Sequence, residues 1–426
     1  MSGITYDEAL EFLYRAYGSG TKVGLEGVRV ILASKNNPQE KLSVIHVAGT
    51  NGKGSTCAFL QHILIAAGYK VGAFTSPHLH RYNERMTIGG GASSDLRFIS
   101  DDDFARLVTD VAIASKKVGD PSFFEILTCA AFMFFAEEAV DIAVIETGIG
   151  GRLDSTNVIE RPLLSVITAG GYDHQELLGD SLNEIAAEDA GIIKENCPVA
   201  VYPREELPVF QEVAHAKNSP LYYLGEDVEI SDCDFSLEGT EFSVKTAYFS
   251  YQSLSILLLG AHQVQNAILA MLCAKVCKLA DEPAVRRGLL SCTWPGRFEL
   301  VSQRPYIVLD GAHNVDGARI FSEALKFYFP NSFIVLLVGI SKHKDHQSIL
   351  QYMTSEADTV ICTCSEFKAM PANKLAACIK KPTLIEENNK KAFELAIKTA
   401  GKEGVVAVAG SLYLIGDIRS VCNDRF

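Results

Sequence analysis

From Lys41 onward, short runs of apolar, β-branched residues alternate with stretches whose apolar positions recur every three or four residues. That alternation predicts βαβ units and a mostly parallel sheet. The strand-like runs are LSVIHVA (42–48), KVGAFTS (70–76), DIAVIET (141–147) and LLSVITA (163–169). Several are apolar throughout, as strands covered on both faces must be. Between them, residues 55–67 predict an amphipathic helix closed by Gly68. Ser100, with Asp103 three residues on, predicts a capped helix start. FFEILTCAAFMFFAEEA (123–139) is apolar nearly all round and predicts a buried helix.

A polar, less periodic stretch at 218–252 predicts antiparallel strands or an insertion, and a helix begins near Ala261. CTWPGRFEL (292–300) then interrupts the pattern with Trp-Pro-Gly, and a domain boundary is expected there. Beyond it YIVLDGAHN, SFIVLLVGI, TVICTCS, PTLIEEN and GVVAVAGS again read as strands. The expectation is an α/β protein of two domains. Residues 1–294 carry a phosphate loop on a mostly parallel sheet, and residues 295–426 form a smaller Rossmann-like domain. The chain contains no internal repeat.

Composition narrows the function classes. The 426 residues are 48% hydrophobic, ample for more than one core. A net charge of -13 argues against nucleic acid or an anionic membrane as partner, since phosphate partners need a basic face. Eleven cysteines without a CxxC pair predict reduced thiols in a cytoplasmic protein. MSGITYDEAL lacks the layout of a secretion signal, and no apolar run reaches the roughly 18 residues of a membrane span. A soluble monomer is expected.

The chemistry starts at HVAGTNGKGSTCAFL (46–60), between a strand and a helix. Gly49, Gly52 and Gly54 let backbone N–H groups approach an anion at the helix N-terminus, and Lys53 adds a point charge. Thr50 and Asn51 lie within the loop, and Ser55 or Thr56 can reach Mg²⁺. The spacing is unusual, because Gly54 separates Lys53 from Ser55. VIETGIGGRLDSTN (144–157) ends a strand with Glu146, a carboxylate suited to Mg²⁺ beyond the strand's carboxyl end. Arg152 and Asp154 follow on a loop where they can face a substrate. TAGGYDHQELLG (168–179) presents Asp173 and His174, and TSPHLHRYNERM (75–86) offers Ser76 as a metal ligand and His78, His80, Arg81, Asn83, Glu84 and Arg85 as residues that can line a pocket. LDGAHN (309–314) sets Asp310, His313 and Asn314 on a second crevice. No nucleophile stands beside a base, so these parts suit phosphoryl transfer by positioning and electrostatics.

Taken together, the chain resembles the Mur-ligase superfamily, and within it the folylpolyglutamate synthase/dihydrofolate synthase family. KVGLEGVRVIL, HVAGTNGKGS, TSPHLHRYNERM, ETGIGGRLDSTNV, DHQELLG, AGIIK, GAHQVQNAILA, PGRFE, DGAHN and GSLYLIG occur in the family's order, nearly end to end. The resemblance implies that ATP phosphorylates a substrate carboxylate and that the amino group of L-glutamate attacks the acyl phosphate. It implies that Lys53 and the loop Gly49–Ser55 hold the triphosphate, and that Ser76, Glu146 and His174 hold magnesium, expected as two ions. It further implies that Asn266, Arg297 and Asp310 contact ATP, and that His313 and Ser411 place glutamate. The GGRLDSTN run is similar to bacterial bifunctional members, which implies dihydropteroate and reduced folates as acceptors.

One position departs from the pattern. The family's E-K-A-G-I lysine, which carries a carbamate supporting the second metal, is Asp189 here. Either Asp189 supplies that carboxylate itself, or it is only a charged helix residue. Two other functions compete. A cell-wall ligase on a UDP-linked substrate would need more than the roughly forty residues that precede the phosphate loop. A nucleotide switch without ligase activity would leave the second crevice unexplained.

Overall fold

Residues 44–48 are buried at every position, and the sheet they centre is covered on both faces. The computed structural model describes residues 4–17, 24–91, 93–116, 119–225, 227–365 and 369–423; Lys22 and Val23 of KVGLEGVRVIL lie outside them. The first sheet comprises β1 (Val44–Ala48), β2 (Val71–Phe74), β3 (Met86–Gly90), β4 (Ser93–Phe98), β5 (Ile142–Glu146), β6 (Leu164–Ile167), β7 (Val199–Val201) and β8 (Leu221–Tyr223). Its order is β4-β3-β2-β5-β1-β6-β7-β8. In that order every pairing from β2 to β8 is parallel, and only the β2–β3 and β3–β4 pairings are antiparallel. That two-stranded edge was not foreseen from the sequence. Its residues MTIGG and SSDLRF are rich in glycine and serine, which mutes the alternation that marks a strand.

Two hydrophobic layers cover the sheet. Helix Lys53–Ala66 packs on one face with Ala261–Val276 and Glu282–Ser291. Helices Tyr6–Tyr17, Glu26–Ala33, Asp101–Ser115 and Phe123–Glu137 form the other. Ser100 caps its helix by accepting from the Asp103 N–H, as expected. The all-apolar helix is buried, and Ser122 and Glu125 close a reciprocal capping box at its start. The polar stretch forms an antiparallel sheet of β9 (Glu229–Ser236), β10 (Gly239–Lys245) and β11 (Ser250–Ile256).

The second large sheet contains β12 (Glu299–Gln303), β13 (Tyr306–Leu309), β14 (Ile334–Val338), β15 (Thr359–Cys364), β16 (Thr383–Asn388) and β17 (Val405–Ala409). Its order is β12-β13-β17-β14-β15-β16, parallel apart from β12. The loops leaving β1, β2, β5 and β6 and those leaving β13 and β17 line one shared cleft. Open parallel sheets bind ligands beyond the carboxyl ends of their strands, and here two such ends meet. Among the described residues no helix is long and apolar enough to cross a membrane.

Candidate active site

Gly52 caps the helix that follows the phosphate loop at φ 82°, a conformation that costs an L side chain energy. A Cβ there would also lie 2.5 Å from Asn266 Oδ1. Lys53 begins the helix and folds its ammonium back to donate to the carbonyls of Gly49 (2.6 Å) and Thr50 (3.3 Å). Among the described residues it has no carboxylate partner, so its charge is available to an anion in the loop. The backbone N–H groups of Thr50 and Asn51 donate to the Ala169 carbonyl, which ties the loop to the chain leaving β6. Ser55 is buried and lines the cleft.

Glu146 is the last residue of β5 and pairs in register with Val47 of β1, two residues before Gly49. It is 3% exposed and accepts the Ser76 N–H at 2.9 Å. Burial raises its pKa, against the opposing pull of Lys53, the Ser76 amide, Arg297 and Arg85. His174, after β6 of the same sheet, lines the cleft at φ 52°, and burial lowers its pKa. Among the described residues no three His, Cys, Asp or Glu side chains cluster as a ready-made metal site. Hard oxygen donors such as Glu146 and Ser76 nevertheless fit Mg²⁺, which takes one or two protein ligands and completes its shell with phosphate and water.

From the second sheet, Asp310 accepts from the N–H groups of Phe298 and Ala312, both at 2.7 Å. Arg297 donates to the Gly296 carbonyl, and burial lowers its pKa against the attraction of Asp310 and Glu146. His313 holds its ring through Nδ1 and the Gly311 carbonyl at 2.7 Å. Asn314 Nδ2 donates to Asn51 Oδ1 at 3.0 Å, a direct bond between the second sheet's crevice and the phosphate loop. Together these residues enclose about 570 Å³.

The Mur ligase middle domain matches residues 47–274, and the Mur ligase glutamate ligase domain matches residues 296–412. A Bacillus subtilis dihydrofolate synthase/folylpolyglutamate synthase is 37% identical, over 97% of this chain and 98% of its own. Escherichia coli FolC, solved in complex with DHPP and ADP, superposes with a TM-score of 0.90 at 28% identity. The match covers 99% of this chain and 98% of that one. A bifunctional folylpolyglutamate synthase/dihydrofolate synthase from Yersinia pestis, solved with AMPPNP and a Mn ion, gives 0.88 at 26%, covering 99% and 98%. The chain belongs to the Mur ligase family.

Within this Mur ligase, most of the expected residues meet in the cleft. Residues 49–55, Ser76, Glu146, Arg152, Asp154, His174, Asn266, Arg297, Asp310 and His313 all line it. Four expectations meet a different arrangement. Arg81 points away from the cleft, pairs with Asp101 at 2.8 Å and covers the Tyr6 ring. Asp154 lines the cleft but has no oxygen to spare. It accepts from the N–H groups of Gly148, Ile149 and Thr156 and from the Thr156 hydroxyl, so it builds the loop. Ser411 is buried behind the wall, where its hydroxyl accepts the Tyr413 N–H, while Leu412 and Tyr413 face the cavity. Asp189 is 1% exposed and paired with Arg204 outside the cleft wall.

One residue, Lys344, escaped sequence reasoning, and of the two arginines in the TSPHLHRYNERM loop it is the second that reaches the cleft. Arg85, four positions after Arg81, lines the cleft. Its Nε donates to His78 Nδ1 at 2.9 Å, and its guanidinium covers the Tyr82 and Phe123 rings. Lys344 follows β14 and reaches Asp173 across the cleft. The signal for Lys344 was present, since it follows a carboxyl strand end.

Proposed function

We propose that this Mur ligase uses ATP to join L-glutamate to folate-type carboxylates, both converting dihydropteroate to dihydrofolate and extending reduced folates. The observation that carries the reading is the shared cleft. A phosphate loop whose lysine has no close ion-pair partner among the described residues, and a buried carboxylate, occupy one wall, and the crevice with Asp310 and His313 occupies the other. A ligase that activates one substrate and adds a second needs both walls.

Lys53 and the N–H groups at the helix start, residues 52–55, bind the triphosphate, while Asn266, Arg297 and Asp310 orient the nucleotide. Ser76, Glu146 and His174 would hold the divalent cation. The metal, when bound, neutralises the phosphate charge that develops during transfer. An acceptor carboxylate oxygen forms a bond to the γ-phosphorus as the bond to ADP breaks. The glutamate amine then attacks the acyl carbon, phosphate leaves with the bonding electrons, and the nitrogen loses a proton. Phe123, Phe124, Ile149, Leu153 and Leu177 supply an apolar lobe of the cleft suited to a flat pterin ring. Arg152, held by Glu188 at 2.8 Å, stands at its edge. Closure of the two domains, divided between residues 294 and 295, shields the acyl phosphate from water. The eleven free cysteines suit a cytoplasmic enzyme, and a cleft built by one chain suits a monomer.

Phosphate release with ATP and L-glutamate tests the reading, with dihydropteroate compared against reduced folate monoglutamates. Glutamate-dependent turnover with both acceptors is expected. Turnover with only one reduces the proposal to a single activity, and turnover with neither overturns it.

A further inference from the structure

Asp173 follows β6 on the phosphate-loop side, yet two of its three close charged or imidazole neighbours belong to the other sheet. Its Oδ1 accepts from Lys344 Nζ, and its Oδ2 lies 3.6 Å from His313 Nε2. The third neighbour is His174, whose Nε2 is 3.8 Å from Oδ1 and whose own N–H donates to the same oxygen at 2.9 Å. The Asp173 and Lys344 side chains are 11% and 16% exposed. Burial alone would raise the Asp173 carboxyl, but His313, His174 and Lys344 together hold it far below the ordinary range.

We propose that Asp173 is the closure latch of this ligase, a positioning residue that captures Lys344 and His313 and fixes the second domain over the activated acceptor. The proposal rests on the ligase reading and adds a control point to it. A buried pair of this kind contributes little net stability, because desolvation offsets the attraction. It specifies an arrangement instead, since the pair can be satisfied only when the two sheets are face to face. His313 is fixed at both ends, by the Gly311 carbonyl on Nδ1 and by Asp173 on the side of Nε2. The Asn314–Asn51 bond adds a second tie between the same two walls. The triphosphate can enter the loop with the latch open, because Lys53 and the loop lie on one side, while Arg297 and Asp310 add their contacts on closure. The amine of glutamate can be delivered only with the latch shut.

The test compares D173N, K344M, K344R and the D173N/K344M double variant in glutamate-dependent phosphate release, alongside the affinity for a non-hydrolysable ATP analogue. At saturating substrates D173N and K344M are each expected to lose about 10- to 100-fold in kcat, with a clearly smaller fall in analogue affinity as the Arg297 and Asp310 contacts loosen. The double variant is expected to be no slower than the slower single variant, because both remove one contact. K344R, which keeps the charge, is expected to retain most of the turnover. Losses that multiply in the double variant, analogue affinity that falls in step with kcat, or unchanged turnover in K344M each overturn the latch. If D173N does not fold, K344M against K344R still decides the matter. Failure of the ligase reading looks different, because wild-type protein then shows no glutamate-dependent turnover at all.

Discussion

The Asp189 carboxylate lies 3.3 Å from the Arg204 guanidinium, with both side chains almost wholly buried. Arg204 also donates to Glu206 at 2.8 Å and covers the Phe210 ring. Burial pushes the Asp189 carboxyl up to about 6, against the pull of Arg204 and Lys53. A carboxylate already claimed by a buried cation is a poor candidate to support a metal. We therefore expect D189N to keep its metal dependence. Loss of a counter-charge to buried Arg204 is offset by relief of a carboxylate whose burial disfavours its charge, so the denaturation midpoint at neutral pH should move little. The Mg²⁺ concentration for half-maximal turnover should stay where it is in wild type. A large rise in that concentration would return Asp189 to the metal site.

The sign of the Asp189 shift sets a second expectation. Its folded pKa of about 6 lies above the model-peptide value of 3.8, so the folded protein binds the extra proton between those values. The stabilisation is fully present below about 3.8 and is lost as pH rises through about 6. Chemical denaturation of the wild type should show this loss between pH 4 and 6, and D189N should lack that component.

Glu146 reverses the usual link between stability and activity. Its carboxylate is buried with one amide donor, and burial raises its pKa. The charge is therefore unfavourable in the ligand-free fold at neutral pH, where a metal and phosphate would compensate it. Glu146→Gln resembles the protonated acid. It should raise the ligand-free stability by roughly 1 kcal/mol while removing nearly all turnover. A variant that is both inactive and less stable would mean that the charge is compensated within the protein.

Much of this was legible in the sequence because strand ends announce themselves. Glu146, Asp310 and the loop after Ala48 each follow a run of apolar β-branched residues, and topology brings such ends together. Side-chain direction within a loop has no such signature. Arg81 and Arg85 share one motif, yet a short 3-10 turn at Tyr82–Arg85 sends the first outward to Asp101 and the second inward to His78. Asp154 looked like a substrate ligand because a loop carboxylate usually faces solvent, whereas here four donors from its own loop enclose it. Asp189 was ambiguous for a further reason. Its partner Arg204 is fifteen residues away and beyond β7, so no local spacing links them.

Arg85 provides a test of the acceptor lobe. Its guanidinium lies over Phe123 and beside His78, and burial lowers its pKa without removing its charge at neutral pH. A planar cation stacked on a ring is not replaced by an ammonium. Arg85→Lys is expected to raise the KM for the folate-type acceptor about tenfold, equivalent to about 1.4 kcal/mol, with the KM for ATP nearly unchanged. Equal rises in both constants would place Arg85 on the nucleotide instead.

Gly54, the residue that separates Lys53 from Ser55, has its explanation in the linker. A Cβ at this position would lie 2.9 Å from Cζ2 and 3.1 Å from Nε1 of Trp294. Gly54 has no positive φ and sits in the first turn of a helix, where alanine is otherwise favoured by about 1 kcal/mol. The close indole is therefore the obstacle to a side chain, and Trp294 stands immediately before the Pro295–Gly296 break between the two sheets. Gly54→Ala should force the indole or the loop to move, at about 1–3 kcal/mol, and weaken nucleotide binding accordingly. Because the chain has a single tryptophan, the displacement should also appear as a shift in its fluorescence. Adding Trp294→Phe to that variant removes the crowding atoms and should recover part of the nucleotide affinity. If the double variant binds no better than Gly54→Ala alone, the glycine is kept for the phosphate and not for the linker.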